Sequence, residues 1–190
     1  TKDAQIELMK ITYSKQQHLI RKNPDPKPQL NSKDNAEELI NSAKKPFIVF
    51  GQGVILGNAE DEFKNFIEKS GIPSAWTILG LSALPTDHYL NVGMVGMHGN
   101  YGPNVLTNEC DLLLAIGMRF DDRVTGNLDY YAKQAQIIHF EIDPAEIDKN
   151  VITDVAVLGN IKQTLPKVTQ KINNNNHKKW VEKFKELNQI

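Results

Sequence analysis

The chain has 190 residues, with 22 Lys+Arg against 23 Asp+Glu and a single cysteine. That length suits one domain with tails. A net charge of −1 and a pI of about 6.5 leave no basic footprint for nucleic acid. A mean hydropathy of −0.42 with only short apolar runs excludes a transmembrane helix, and the lone Cys110 excludes an internal disulfide or a cysteine-rich zinc site.

Residues 1–30 are lysine-rich and end in Asn23-Pro24-Asp25-Pro26-Lys27-Pro28, where alternating prolines favour extended chain. They are expected to be a linker. Asn31-Ser32 can cap a helix over 31–45 with Ala36, Leu39, Ile40 and Ala43 on one face. The run Pro46-Phe47-Ile48-Val49-Phe50 suits a strand buried on both faces. Asn58 is expected to cap a helix over 58–70, with Glu60, Asp61 and Glu62 in its first turn, Phe63, Phe66 and Ile67 as its apolar stripe, and Gly71 at its end. Residues 72–77 read as a second strand, 102–110 as a short helix and 111–117 as a third strand. Residues 136–142 and 155–159 complete the strands, and 161–172 closes with a helix. Residues 173–190, four asparagines and a lysine-rich amphipathic stretch, are expected to be a second linker. The alternation predicts an α/β domain over 31–172, cut from a longer chain, with a parallel sheet whose crevice lies at the carboxyl ends of the strands.

The residues at those ends carry the chemistry. Gly51-Gln52-Gly53 lets the backbone approach a phosphate, or simply turns. Thr77-Ile78-Leu79 places a hydroxyl and apolar surface at the second exit, or is a plain strand exit. Residues 93–102 hold four glycines, too many for a stable helix or strand, so a packed irregular loop with a functional role is expected there. His98 within it is a base, a ligand or an ordinary hydrogen-bonding residue, and no partners stand at metal-ligand spacing.

Only three of the basic residues are arginines, and two of them, Arg119 and Arg123, flank Phe120-Asp121-Asp122. They either pair with the aspartates or bind phosphate while an aspartate orients them. At the fourth exit Glu141 is placed to hold a sugar hydroxyl and Asp143 to cap the helix that Pro144 begins. Asn160 caps or touches ligand. The set describes a nucleotide-type pocket, without a nucleophile–base pair or paired catalytic carboxylates.

Gly93-Met94-Val95-Gly96-Met97-His98-Gly99, followed by Arg119-Phe120-Asp121-Asp122-Arg123-Val124-Thr125-Gly126 and by Ile137-Ile138-His139-Phe140-Glu141-Ile142-Asp143-Pro144, resembles the central domain of the acetolactate synthase (acetohydroxyacid synthase) catalytic subunit. The resemblance runs from Thr1 to about Ile172. A soluble cytoplasmic protein is the default expectation from composition and the lone cysteine; the resemblance implies a three-domain thiamine diphosphate enzyme. Its outer domains, absent from this sequence, bind thiamine diphosphate and Mg²⁺; its middle domain is a six-stranded parallel sheet that holds FAD without net redox change. Such enzymes condense two pyruvates, or pyruvate with 2-oxobutyrate, with loss of CO₂, in branched-chain amino-acid biosynthesis. They assemble as homodimers or homotetramers with a regulatory small subunit.

The FAD positions the resemblance implies are Gly51, Gln52, Gly53, Thr77, Ile78, Leu79, Met97, His98 and Gly99, then Gly117, Arg119, Asp121, Arg123, Val124, Glu141, Ile142 and Asn160. Met97, Asp122 and Arg123 match positions along the substrate channel. Gln52 replaces a small residue, Leu79 a Gln or Met, and Asn160 the usual aspartate. The Gly-Asp-Gly…Asn-Asn motif for thiamine diphosphate is missing, so no catalysis is expected from this stretch by itself. A different thiamine diphosphate enzyme, of glyoxylate carboligase or pyruvate oxidase type, or an assembly scaffold with a vestigial pocket, are the alternative expectations.

Overall fold

Six short strands pair in parallel to make the centre of the molecule. The computed structural model describes residues 29–31 and 36–190. In chain order the strands are β1 (Gln29–Asn31), β2 (Pro46–Phe50), β3 (Ser74–Trp76), β4 (Asn91–Met94), β5 (Leu112–Ile116), β6 (Gln136–Glu141) and β7 (Val155–Leu158). They lie in the order β1-β7-β6-β5-β2-β3-β4. β2 to β7 are all parallel, and β1 adds an antiparallel edge against β7.

The helices are α1 (Ala36–Ser42), α2 (Gln52–Leu56), α3 (Glu60–Ser70), α4 (Tyr101–Leu106), α5 (Asp122–Thr125), α6 (Ile161–Lys171) and α7 (Lys178–Leu187). None is long and apolar enough to cross a membrane.

The central strands β2 and β5 are buried at every position, which is why they read as unbroken apolar runs rather than alternating ones. Phe63, Phe66 and Ile67 of α3 are fully buried, and the Phe63 ring meets Phe50 of β2 at 4.7 Å between centroids. Each such side chain contributes roughly 1.5–3 kcal/mol by leaving water.

The structure departs from the expected elements in several places, and Gln29 and Leu30, at the end of the span expected to be a linker, belong to β1. Asn31 lies in β1 rather than capping a helix, and α1 is confined to Ala36–Ser42; Ser32 falls outside the described residues. Asn58 does not cap α3: it sits at φ 47, and Ala59 takes the cap position with no side-chain hydrogen bond. The glycine-rich stretch contributes the edge strand β4, with Gly93 inside it. Only one neighbouring strand, β3, has to be matched there.

Finally, α7 lies within the span expected to be a linker, yet Trp180, Val181 and Phe184 are buried in the core. The Trp180 Nε1 donates to the Pro46 carbonyl at 2.9 Å. Residues 178–187 are therefore integral to the packing of this domain.

Candidate functional site

The order of the six parallel strands places the topological switch between β2 and β5. Chain leaving β2 turns one way and chain leaving β5 the other, so a crevice opens at their carboxyl ends. The two exits are laced together: Gly51 N donates to Ile116 O at 3.0 Å, and Gly53 N to Gly117 O at 2.8 Å. Gly53 is required by this approach, since a Cβ there would stand 2.7 Å from the Gly117 Cα. Gly117 itself has φ +59, a left-handed backbone that favours glycine.

A narrow cleft follows, about 20 Å³ in volume, lined by Gly53, Gly117, Glu141, Ile142 and Asn160 among the expected residues. Leu56, Gly57 and Ile161 complete it. Leu56 and Ile161 were invisible in the sequence because they carry no chemistry of their own and enter only through the packing of α2 and α6 beside the crevice, whereas Gly57 stands in the glycine spacing that follows β2.

Glu141 ends β6 and is 6 % exposed. Its Oε1 accepts from Ile142 N at 2.8 Å and Asp143 N at 3.2 Å. Its Oε2 has no hydrogen bond among the described residues and lies 3.8 Å from His139 Nε2. Burial pushes the carboxyl up to about 7, against the pull of the two backbone donors. Asn160 accepts from Lys162 N at 3.0 Å and so caps α6 while lining the cleft. Asp143 caps the short helix Pro144–Glu146 through Ala145 N, as expected from the sequence.

The arginine segment is a turn followed by α5. Asp121 caps α5, with Oδ1 accepting from Arg123 N at 2.9 Å and Val124 N at 3.3 Å. The Arg119 Nε stands 3.7 Å from Asp121 Oδ2, and 58 % of the Arg119 side chain is exposed. Among the described residues the arginine–aspartate pairing that the spacing allowed is thus reduced to this single loose pair, and the Arg119 side chain is largely open to solvent.

Met97, Asp122, Arg123 and Val124 line a second, larger cavity of about 370 Å³ together with Asn104 and Tyr131. Met97 N donates to Arg123 O at 2.9 Å, and Gly96 lies so close that a Cβ would meet the same oxygen at 2.6 Å. Asn104 holds the loop from the other side, bonding both Gly96 N and Gly96 O at 2.9 Å. An asparagine inside a helix, where its propensity is poor, was the available signal for that role.

Thr77, Ile78 and Leu79 form the β3 exit and open a short 3-10 turn; Ile78 is 69 % exposed. His98 is exposed and Gly99 only partly covered, in the turn after β4; with Gly51, Gln52, Arg119 and Asp121 they line neither cavity. No cluster of His, Cys, Asp or Glu able to hold a metal occurs among the described residues.

Chemically, the cleft is lined by close-approach backbone and by a Glu141 oxygen without a hydrogen bond among the described residues, while the exposed Arg119 side chain and the exposed apolar Ile78 and Met97 stand outside it. That combination suits a phosphorylated nucleotide bearing a ribose and an apolar ring.

Comparison with known proteins agrees with this architecture. Residues 34–168 match the family described as thiamine pyrophosphate enzyme, central domain. The chain is 47% identical over 130 residues to the "Probable acetolactate synthase large subunit" of Methanocaldococcus jannaschii, covering 68% of this chain and 22% of that protein. It is 45% identical over 135 residues to the acetolactate synthase large subunit of Parasynechococcus marenigrum, covering 71% of this chain and 22% of that protein. The X-ray structure of a Mycobacterium smegmatis protein assigned as a thiamin diphosphate-dependent enzyme superposes with a TM-score of 0.61 at 26% identity, over 73% of this chain and 27% of that one. The chain thus spans under a quarter of the length of these two relatives, and it belongs to the thiamine pyrophosphate enzyme family as its central domain.

Proposed function

We propose that this chain is the FAD-binding central domain of an acetolactate synthase catalytic subunit. The observation that carries the reading is the crevice at the β2/β5 switch. There the Gly53 and Gly117 backbones touch, and the buried Glu141 offers an oxygen to a ribose hydroxyl. Arg119 would hold a phosphate, and Ile78 and Met97, 69 % and 67 % exposed, would meet the flavin or a flanking domain.

FAD supplies a bound, catalytically silent ring system in this reading. The condensation of two pyruvates, or of pyruvate with 2-oxobutyrate, belongs to thiamine diphosphate and Mg²⁺ on domains outside this sequence. The second cavity, with Met97, Asp122 and Arg123 on its wall, would border the substrate channel. Flanking domains, a second catalytic subunit and a regulatory small subunit are the partners proposed, in the cytoplasm and without nucleic acid or membrane.

The test is to express the full-length enzyme, strip it of flavin and titrate FAD by flavin fluorescence while assaying acetolactate formation. Saturable binding together with activity is expected. An active enzyme indifferent to FAD overturns the cofactor assignment, and a full-length enzyme that makes no acetolactate overturns the activity.

A further inference from the structure

The exit of β5 is irregular backbone, buried at Gly117, Met118 and Phe120 and exposed only at Arg119, and each of its carbonyls is engaged. Gly51 N takes Ile116 O, Gly53 N takes Gly117 O, and Asp121 N takes Arg119 O at 2.9 Å. Met118 O and Phe120 O have no backbone donor among the described residues, and two side chains from later in the chain supply one each. His139 Nε2 lies 2.9 Å from Met118 O. Asn150 Nδ2 donates to Phe120 O at 2.6 Å. These two carbonyls stand immediately before and after Arg119.

We propose that His139 and Asn150 are positioning residues, a two-point clamp on the backbone either side of Arg119 that holds its guanidinium ready for the cofactor. His139 is fully buried on β6, with its ring edge-on to Phe120 at 5.0 Å between centroids. Burial lowers its pKa, so the ring is neutral and Nε2 carries the proton donated to Met118 O. Its Nδ1 is then a buried acceptor with no partner among the described residues. A buried imidazole that leaves one nitrogen unsatisfied is an expensive way to fill a core, and the hydrogen bond from Nε2 is what it provides. A long, exposed arginine loses much rotamer freedom on binding a phosphate; a fixed backbone beneath it limits that loss to the side chain alone.

The proposal rests on the FAD reading, and the experiment separates the two. In the flavin-stripped full-length enzyme, FAD affinity and apo-enzyme melting temperature are measured for the wild type and for H139L, H139Q, H139N and N150A. Leucine keeps apolar bulk without a donor, so H139L should bind FAD about tenfold more weakly. Glutamine presents its amide nitrogen where imidazole Nε2 stands, so H139Q should return to within about twofold of wild type. Asparagine reproduces the Nδ1 position and should not restore binding. Asn150 is exposed, so N150A should keep the wild-type melting temperature and bind FAD about threefold more weakly.

Wild-type FAD affinity in both H139L and N150A overturns the clamp while leaving the FAD site standing. Equal rescue by glutamine and asparagine overturns the role of Nε2. Absence of FAD binding in the wild type sinks the underlying reading and the clamp with it. Where H139L fails to fold, N150A decides alone: unchanged affinity overturns the clamp, and weakened affinity at unchanged melting temperature supports it.

Discussion

At the scale of single residues, Glu141 faces opposing demands. Its carboxyl is raised from 4.5 to about 7 by burial, so the folded state holds a proton that the unfolded chain has released between those pH values. Stability from this group is therefore lost as pH rises from about 4.5 to about 7, and the full cost persists above that. Glu141→Gln keeps an oxygen for Ile142 N and Asp143 N while removing the charge. It should stabilise the fold on the order of 2–3 kcal/mol near pH 8 and have little effect near pH 4.5, measured by urea unfolding of the chain at both pH values. An equal gain at both would show that charge burial is not the cause. The same variant should weaken FAD binding, because an amide nitrogen replaces the acceptor offered to the ribose.

Arg119→Lys should lower FAD affinity about tenfold, since a point ammonium cannot reproduce the planar fork. Arg21→Lys serves as the control with no change expected; Arg21 lies outside the described residues. Both changes can be read by flavin titration of the full-length enzyme, and equal losses would remove Arg119 from the site. The arginine pair, Glu141 and the Asp143 cap were legible because each is a polar residue of unusual type at a strand's carboxyl end. His139 and Asn150 were not. Their partners are backbone carbonyls 21 and 30 residues away, and no local pattern encodes that pairing.

At the scale of elements, burial decided what could be read. β2 and β5 announced themselves because a strand covered on both faces must be apolar nearly throughout, and β6 did so through Ile137, Ile138 and Phe140. β4 did not, because an edge strand with a glycine inside carries neither a continuous run nor an alternation. The last helix was half legible. Its apolar positions Trp180, Val181, Phe184 and Leu187 have helical spacing, but four preceding asparagines and a lysine-rich face read as linker.

The packing is specific: Phe184 lies 4.8 Å from Phe47 and 5.0 Å from Trp180 between ring centroids. Phe184→Ala should therefore cost about 3–5 kcal/mol, the range for emptying a buried aromatic site. Chemical denaturation of the chain measures it. A loss below about 1 kcal/mol would mean that α7 docks too weakly to belong to this domain, and the linker expectation would return.

At the scale of the whole molecule, the crevice draws on parts distant in sequence: α2 after β2, the β5 exit, the end of β6 and the cap of α6 meet at one cleft. A ligand seated there bridges segments that separate on unfolding, so it binds the folded state alone. FAD at one hundred times its dissociation constant should then stabilise the full-length enzyme by about 2.7 kcal/mol, seen as a rise in melting temperature that grows with FAD concentration. Gly53 gives the internal control. A Cβ at Gly53 would collide with Gly117 Cα at 2.7 Å and Gly117 O at 2.8 Å, both backbone atoms of the neighbouring exit that cannot step aside singly. Gly53→Ala must therefore push the β2 and β5 exits apart, lowering the melting temperature without FAD and shrinking the rise that FAD produces. If the variant melts lower but keeps the full FAD-dependent rise, the cofactor does not sit at the β2/β5 switch. If the wild type shows no rise at all, the crevice is an assembly feature rather than a cofactor site.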